Sequence, residues 1–265
     1  MKIKVTILTL ALALMASYEV SAWGRLGHRT IAEIAERHLT PQAKANIEKY
    51  THGTPLADYS LWMDEVRNTP EYKKPTSGWH ASIVDEKCHT SQELRNKHRK
   101  GRDSVTGIID LSELLKNRQE LSDSTVMFAI KCLVHMVGDF HCPSHLRYTD
   151  FANKGHQKIT YLGRETTLHK AWDTGIIAYN HKKWSYQRYA DKLDCYTKKQ
   201  IKAVTKGDVE RWMEDAARDV RPSIHWVKDG DVLGEEFTKK ALPLAEQQIQ
   251  KAGYQLAKVL NTLFK

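Results

Sequence analysis

Two pairs of histidine and aspartate stand at a spacing typical of one helix face. His135 and Asp139 are four residues apart in HMVGD, and His169 and Asp173 are four apart in HKAWD. Side chains at positions i and i+4 project from the same face, so each pair could bind a single metal ion. In a chain with 13 histidines, about one such pair is expected by chance, and an isolated pair would more simply be an ion pair on a helix surface.

The first 22 residues have the layout of a secretory signal. A short basic start is followed by an apolar run over residues 5–15 and by the small residues VSA, which predict cleavage after Ala22. The run is too short to span a bilayer, and a buried N-terminal helix is the alternative interpretation. Cleavage would leave a chain that begins at Trp23, whose α-amine would have a pKa of about 8. The deprotonated amine and the carbonyl oxygen of the same residue could then bind a metal together.

Further histidines and aspartates stand in apolar surroundings. His145 follows Asp139 by six residues, His80 lies in SGWHASIV, and Asp64 lies in SLWMDEVR. Buried imidazoles and carboxylates need polar partners, which a metal ion can supply. A set rich in His and Asp and without Cys suits catalytic zinc, which keeps positions open for water. The candidate ligands exceed the number that one ion needs, so the sequence predicts a cluster formed by Trp23, His28, Asp64, His80, His135, Asp139, His145, His169 and Asp173.

The segments that must position these residues are mostly helical by pattern. Apolar residues recur at intervals of three and four in RTIAEIAERHL, in STVMFAIKCLVHMVGD, and in PLAEQQIQKAGYQLAKVLNTLF, which begins at Pro243. Thr40 and Pro41 supply an N-cap and a first helical residue for another helix. The segment QKITYLGRETTLH predicts one β-hairpin, with Gly163 in its turn.

Length and pattern together predict one domain. The chain has 265 residues and shows no repeat, low-complexity segment or Gly/Ser linker. We expect loops over residues 70–78 and 97–107. The predicted fold class is all-α, a single, mainly helical domain over residues 23–265 with one small β-hairpin. No later apolar run approaches the roughly 20 residues of a transmembrane helix, so we expect no membrane span.

Charge and cysteine content narrow the partners only partly. The formal net charge is +9, and a basic protein can attract polyanions such as nucleic acid or anionic lipid. A solvated basic surface without a partner is equally compatible with this charge. Cys132 lies in a predicted helix and could be a buried thiol. In an exported protein two disulfides are possible, in any of three pairings, among Cys88, Cys132, Cys142 and Cys195.

Several of these motifs together resemble the zinc-dependent, single-strand-specific nucleases of the S-one/P-one type. The motifs are WGRLGH, WMDEVR, GWH, VHMVGDFHCPSH and TLHKAWDTGII, in this order, and the likeness continues to AGYQLAKVLN near the C-terminus. The resemblance implies a helical bundle, of the kind shared with zinc-dependent phospholipase C, with three Zn²⁺ ions at the bottom of a cleft. The first ion would be bound by Asp64, His80, His135 and Asp139. The second would be bound by His145, His169 and Asp173. The third would be bound by the amine and carbonyl of Trp23, by His28 and by a bridging Asp139.

The resemblance also implies a reaction. The enzyme would be exported, either to the periplasm or outside the cell. It would cleave single-stranded DNA and RNA to 5′-phosphorylated nucleotides, through attack of metal-activated hydroxide on phosphorus, and would also remove phosphate from 3′-nucleotides. The catalytic residues would be Asp64, Asp139 and Arg67, and the last could hold a phosphate through two hydrogen bonds. A deep cleft admits a splayed base and excludes a stacked duplex.

Three departures from the family pattern concern the base pocket. Ala81 stands where related enzymes commonly have an aromatic residue that stacks on the base. The loop written D-[KR]-G-G-N in the family reads NKGHQ over residues 153–157, and the usual Q-P-L reads CPS over residues 142–144. We therefore predict substrate binding at Arg67, Ala81 and Gln157, with weaker base stacking than in the relatives. Base preference and the choice between DNA and RNA are not predicted, and we expect a monomer.

Two other functions are compatible with the same ligands. A zinc-dependent phospholipase C has a similar fold, an N-terminal Trp and three zinc ions, but the short spacing from Trp23 to His28 is nuclease-like. The phospholipases also have Glu where this chain has Asp173. A zinc-binding or nucleic-acid-capturing protein with a purely structural cluster is the non-catalytic alternative.

The remaining histidines have weaker claims to the site. His141 should point away from the cluster and have a supporting role, and His156 could approach the cleft without an assigned role. Surface positions are predicted for His38, His52, His89, His98, His181 and His225.

Overall fold

The computed structural model describes residues 23–151 and 156–265. The predicted signal, residues 1–22, lies outside the described residues, as do residues 153–155 of the NKGHQ motif. Among the described residues, none of the helices has the length and the apolar character that a membrane crossing would need.

Helices make up most of the described chain. In its first half they are α1 (Gly24–Arg37), α2 (Pro41–Thr51), α3 (Leu56–Tyr59), α4 (Trp62–Val66), α5 (Pro70–Thr76), α6 (Gln92–Arg99), α7 (Ser104–Lys116) and α8 (Asp123–Asp139). In its second half they are α9 (Leu168–Lys170), α10 (Ile176–Asn180), α11 (Tyr186–Leu193), α12 (Lys198–Val204), α13 (Val209–Val220) and α14 (Glu235–Leu263). The prediction of a mainly helical fold is confirmed.

Short strands form two small sheets among the helices. They are β1 (Ser82–Val84), β2 (Leu146–Tyr148), β3 (Lys158–Tyr161), β4 (Arg164–Thr167) and β5 (Val232–Leu233). The predicted hairpin is confirmed as the antiparallel pair β3–β4. Its turn has positive φ at both Leu162 and Gly163, which is the backbone geometry that matches the twist of two-residue hairpins. The sequence had not predicted β1 and β2, which pair in parallel, or β5, which pairs in parallel with β3.

Helix α8 lies at the centre of the core, and α1 packs against α14 beside it. Every residue of α8 from Cys132 to Asp139 is buried, and this run covers all sides of the helix, as expected for a central helix. Gly253 of α14 lets the two flanking helices approach closely, since a Cβ there would lie 2.6 Å from a methyl carbon of Ile34 on α1. One continuous hydrophobic core therefore supports the whole described domain.

The predicted loop over residues 70–78 was wrong, because Pro70–Thr76 forms α5. Thr69 has an extended backbone and Pro70 occupies the first helical turn, where the missing N–H costs nothing. The proline that suggested a loop therefore begins a helix. In the same way α14 begins at Glu235, eight residues before the predicted start at Pro243, and Pro243 lies inside the helix.

The predicted loop over residues 97–107 was also largely wrong. Helix α6 continues through Arg99, and α7 begins at Ser104 with Asp103 as its N-cap, whose carboxylate accepts from the N–H of Thr106 at 3.0 Å. Only residues 100–103 connect the two helices, and the left-handed backbone of Lys100 and Gly101 makes the turn. A connection this short keeps the end of α6 close to the start of α7.

The four cysteines, all within the described ranges, are thiols and not disulfides. Cys88, Cys132 and Cys142 are buried, and Cys195 is exposed. The prediction of a buried thiol at Cys132 is confirmed, and the fold described here is held by packing and hydrogen bonds without any of the three possible disulfide pairings.

Candidate metal centre

Helix α8 carries two of the predicted ligands on one buried face. The side chains of His135 and Asp139 are fully buried, and His135 Nε2 lies 3.2 Å from Asp139 Oδ2. His135 donates its Nδ1–H to the carbonyl oxygen of Ser60 at 2.8 Å. That hydrogen bond fixes the orientation of the ring and leaves Nε2 facing the carboxylate, as is usual for a histidine that binds a metal.

Three other elements bring further ligands to Asp139. His28, on α1, has Nε2 3.3 Å from Asp139 Oδ1. His80, ahead of β1, has Nδ1 2.9 Å from Asp139 Oδ2 and 3.7 Å from Oδ1 of Asp64, which lies on α4. The two oxygens of one carboxylate thus face two different groups of histidines, which is the arrangement that a carboxylate bridging two ions requires.

The parallel pairing of β1 and β2 brings His80 and His145 to the same edge of a small sheet. Ser82 pairs with Leu146, and the N–H of Ser82 donates to the carbonyl oxygen of His145 at 3.1 Å. Residues that precede two parallel strands in this register lie side by side. His145 Nδ1 is consequently 3.7 Å from Asp139 Oδ2. His145, which follows α8 in the chain, therefore lies next to the ligands on α8.

A second group of ligands lies next to this one. His169 Nε2 is 3.0 Å from Asp173 Oδ2, and His145 Nε2 is 3.6 Å from Asp173 Oδ1. His169 is on α9, and Asp173 is in the single turn of π-helix that continues it over residues 171–175. Turns of π-helix are rare in proteins, and those that occur are often found at functional sites.

Three groups result, of which the first two share His135, and in each group the possible ligand atoms lie within 4.8 Å of one another. They are His28, His135 and Asp139; Asp64, His80 and His135; and His145, His169 and Asp173. Trp23 lies next to them, since its buried indole donates Nε1–H to the carbonyl oxygen of Gly138 at 2.8 Å. Every side chain of the predicted ligand set is therefore brought together by the fold.

The buried polar atoms of these groups fit metal ions. Burying a polar atom without a hydrogen bond costs about 1–3 kcal/mol, yet several such atoms face one another here. A set of imidazole and carboxylate atoms that lack partners is what zinc ligands look like without the ion. Among the described residues these atoms are His28 Nδ1 and Nε2, Asp64 Oδ2, His80 Nε2, Asp139 Oδ1, His145 Nδ1, His169 Nδ1 and Asp173 Oδ2.

The charges in the cluster are strongly coupled. Burial would lower the pKa of His135, but Asp139 and Asp64 raise that pKa to about 9. Burial likewise opposes protonation of His145, whose pKa Asp139 and Asp173 raise to about 10. Burial alone would raise the pKa of Asp139, but His135 and His145 hold it well below the usual range. The pKa of His28 is lowered, first by burial and then by the charge of His135.

Zinc uptake by the processed, metal-free protein should release at least about two protons at pH 7, because His135 and His145 must deprotonate to bind a metal. Their protonation stabilises the metal-free fold fully below about pH 6.5, and that contribution is lost as the pH rises through about 9 and 10. Zinc affinity should therefore increase with pH over this range. Calorimetric titration of zinc in buffers of different ionisation enthalpy measures the protons released, and a heat independent of the buffer would contradict the expectation.

The CPS segment that departs from the family pattern contacts Asp173. Ser144 Oγ donates a short hydrogen bond to Asp173 Oδ1. Cys142 Sγ lies 3.5 Å from the same oxygen and 3.1 Å from Ser144 Oγ. Because these contacts occupy Oδ1, they leave Oδ2 to face His169. The segment thus holds one carboxylate of the cluster in a single orientation.

Replacing Ser144 with alanine should weaken zinc binding by the group of His145, His169 and Asp173. Loss of a hydrogen bond that orients a metal ligand typically costs about 10–100-fold in metal affinity. Zinc retained after competition with a chelator, measured by elemental analysis, reports the change. Ser144→Thr keeps a hydroxyl and should restore retention, whereas Ser223→Ala, at another buried serine, should have no effect. Equal retention by Ser144→Ala and the wild type would contradict this role.

The three predicted substrate-binding residues differ in their exposure and contacts. Arg67 directly follows α4, is a third exposed, and has Nη1 3.6 Å from Asp64 Oδ1. Ala81 is buried directly after His80 and offers no ring for stacking. Gln157 is also buried, and its side-chain oxygen lacks a hydrogen-bond partner among the described residues. Arg67 is thus beside the ligands and partly open to solvent, and substrate binding at all three positions stays a prediction.

Two other histidines lie near the cluster or its supporting helices. His141 points away from the ligands, as predicted, and its ring nitrogens lie 2.8 and 2.9 Å from the side-chain oxygens of Gln248 and Gln255 on α14. His156 is exposed and its ring is 6.4 Å from that of His169.

The surface prediction for His181 was wrong, because this side chain is 7 % exposed. Its Nε2 lies 3.1 Å from Glu246 Oε1, and its ring packs on Trp184 and Tyr189. His38 is half-buried, with Nε2 2.8 Å from Asp194 Oδ1. Exposure was correctly predicted for His52, His89, His98 and His225.

Sequence reasoning missed two supporting residues. Ser60 orients His135 through its main-chain carbonyl, which no side-chain pattern could signal. Ser144 was noted only as a departure from the family, although a hydroxyl in place of an apolar residue next to predicted ligands was a usable signal.

Comparison with known proteins agrees with this geometry. Residues 23–265 match the family described as S1/P1 Nuclease. Similar proteins include Endonuclease 1 of Arabidopsis thaliana, 25% identical over 97% of this chain and 92% of its own length. Nuclease S1 of Aspergillus oryzae is 27% identical over 96% of this chain and 95% of its own length, and Nuclease P1 of Penicillium citrinum is 24% identical over 91% and 97%. Because the family match covers all of the chain after residue 22, the protein belongs to the S1/P1 nuclease family.

Proposed function

We propose that residues 23–265, after removal of residues 1–22, form a zinc-dependent enzyme that hydrolyses single-stranded DNA and RNA and also dephosphorylates 3′-nucleotides. Membership of a nuclease family supports the reaction class. The observation that carries the proposal is the position of Asp139, whose two buried oxygens face His28 on one side and His80 and His135 on the other. A carboxylate shared in this way is typical of sites with closely spaced metal ions.

The donor set fits three Zn²⁺ ions. In the proposal the first is bound by Asp64, His80, His135 and Asp139, and the second by His145, His169 and Asp173. The third is bound by the amine and carbonyl of Trp23, by His28 and by Asp139. When bound, the ions supply Lewis acids that make water acidic enough to ionise near neutral pH and that offset charge developing on the phosphoryl oxygens.

The chain's own residues position the substrate around this centre. Arg67 lies beside Asp64 with part of its guanidinium open to solvent, and it is suited to hold a non-bridging phosphate oxygen. The ordered hydrogen bonds of His135 to Ser60 and of Asp173 to Ser144 keep the ligands fixed while the 3′-oxygen leaves. Because the cluster is buried, only a splayed nucleotide could reach it, and we expect single strands to be preferred over duplexes.

Export to the periplasm or to the outside of the cell belongs to the same proposal. The signal predicted over residues 1–22 supports it, and the family match begins at residue 23, directly after the predicted cleavage point. Cleavage there would supply the α-amine of Trp23 as a ligand.

The test uses protein purified with Trp23 as its first residue. Single-stranded DNA and RNA should be cleaved faster than duplex DNA, with 5′-phosphates on the products, and a 3′-mononucleotide should release phosphate. Elemental analysis should find about three zinc ions per chain, and EDTA should abolish activity that added zinc restores. Cleavage of phosphatidylcholine with intact nucleic acid would identify a phospholipase instead, and bound zinc without turnover would identify a structural site.

A further inference from the structure

A wide groove opens directly beside the metal ligands. Its volume is about 780 Å³, and both Trp23 and Asp64 line it. That volume is within the range of pockets that take whole small molecules, and it exceeds what one base needs. Ala81 and Gln157, the predicted base-pocket positions, do not line it. The groove is therefore a surface beside the ligands that is separate from the predicted base pocket.

The wall of the groove combines aromatic rings with cations. Trp184 and Tyr186 are half-buried, while Arg25 and Lys182 are exposed. Bases of any sequence stack on aromatic rings, and Lys and Arg neutralise phosphates, so this composition is typical of surfaces that track single strands. Its acidic members, Asp64 and Glu65, lie together on α4 at the ligand side.

The aromatic rings are held in place before any ligand arrives. The guanidinium of Arg188 lies 4.4 Å from the centre of the Trp184 ring, and the His181 ring packs against the same indole at 4.4 Å. The guanidinium of Arg29 lies 4.2 Å from the centre of the Tyr186 ring and pairs with Asp58 at 2.6 Å. Rings ordered in advance lose little freedom when a base stacks on their accessible parts.

We propose that this groove binds the part of a single-stranded polynucleotide that extends beyond the phosphodiester being cleaved. Its bases contact Trp184, and its phosphates meet Arg25 and Lys182. The inference rests on the proposed nuclease function and adds a determinant of substrate length to it. A mononucleotide is too short to occupy both the metal centre and the groove, so the groove favours polynucleotides over 3′-nucleotides.

The experiment compares kcat/KM for a 20-nucleotide DNA with kcat/KM for a 3′-mononucleotide, both with zinc-loaded protein that begins at Trp23. In Trp184→Ala the ratio of these two values should fall about tenfold, within the range measured for loss of one stacked base. Trp184→Phe keeps a ring and should retain most of the ratio. The melting temperature of each variant shows whether it is folded.

Lys182→Glu tests the phosphate contact at an exposed position where folding is not at risk. The slope of log kcat/KM against log salt for the 20-nucleotide DNA should become shallower by about 0.7 or more, the value for one phosphate on a single strand. Lys199→Glu, which makes the same charge change at an exposed position of α12, should keep the slope of the wild type.

The possible results separate the groove from the reaction. The groove proposal alone would be overturned if Trp184→Ala and Lys182→Glu both kept nuclease activity and behaved like the wild type in two respects. These are the ratio of kcat/KM for the DNA to kcat/KM for the mononucleotide, and the slope of log kcat/KM against log salt. A salt slope that became equally shallow in Lys182→Glu and Lys199→Glu would also overturn the groove proposal, because the change would then reflect net charge and not a contact at Lys182. A wild-type protein that hydrolyses neither substrate would overturn the nuclease function together with the groove.

Discussion

Asp139→Asn should reduce hydrolysis of single-stranded DNA by roughly a thousandfold or more. Its two oxygens face His28 on one side and His80 and His135 on the other, so in the proposed zinc centre the amide would remove a charged ligand from two ions at once. Metal stabilisation of transition-state charge is worth several kcal/mol, and each 1.4 kcal/mol is about tenfold in rate. Initial rates on a single-stranded oligonucleotide measure the loss of hydrolysis, and elemental analysis measures the accompanying loss of zinc.

A matched control for this variant is Asp103→Asn. Asp103 is also fully buried, but its carboxylate caps α7 and lies near Arg95. Asparagine is an equally good N-cap, so this variant should keep zinc and most of its activity while losing a little stability. Full zinc content and activity within tenfold of the wild type in Asp139→Asn would rule out the shared role of that carboxylate.

Periodic segments and caps were predictable because their physics is local. The apolar pattern of α8 and the capping of α2 by Thr40, which accepts from the N–H of Ala43, depend on residues within one or two turns. The hairpin β3–β4 follows from a turn at Gly163 that tolerates positive φ. Residues 70–78 were misjudged for the same local reason, since proline both interrupts helices and begins them.

The convergence of the ligands was not predictable from spacing. His28 and Asp139 are 111 positions apart in the chain and meet only because α1 and α8 pack in one core. His80 and His145 meet because β1 and β2 pair in parallel, and the sequence did not predict either strand. The candidate ligands were therefore recognised by residue type and apolar surroundings, and their division among three ions came from resemblance to a family. The i, i+4 pairs alone suggested no more than two separate contacts.

Burial of single polar residues depends on distant partners, and this explains the error at His181. Its carboxylate partner, Glu246, is on α14, and no pattern around residue 181 indicates it. Ser144 shows the opposite case, in which a local departure from the family pattern marks a new contact with Asp173.

The second large effect should come from the N-terminus. A protein with one extra glycine before Trp23 should bind about two zinc ions instead of three and lose at least about a hundredfold in kcat. The extra residue converts the α-amine of Trp23 into an amide, whose nitrogen has no available lone pair at neutral pH. The indole would remain in place, since it is held by its hydrogen bond to Gly138 and is almost fully buried. Only the proposed amine ligand would be lost.

The comparison requires two proteins that differ by this single residue, released from the same fusion by proteases that leave either Trp23 or Gly-Trp23 at the start. Elemental analysis gives the zinc content, mass spectrometry confirms each terminus, and turnover of single-stranded DNA gives the rate. A glycine added after Lys265, which is exposed at the other end of the chain, makes the same change in mass and should leave both values as they are. If the Gly-Trp23 protein kept three zinc ions and full activity, the third ion would not need the α-amine, and signal cleavage would then affect export without completing the metal centre.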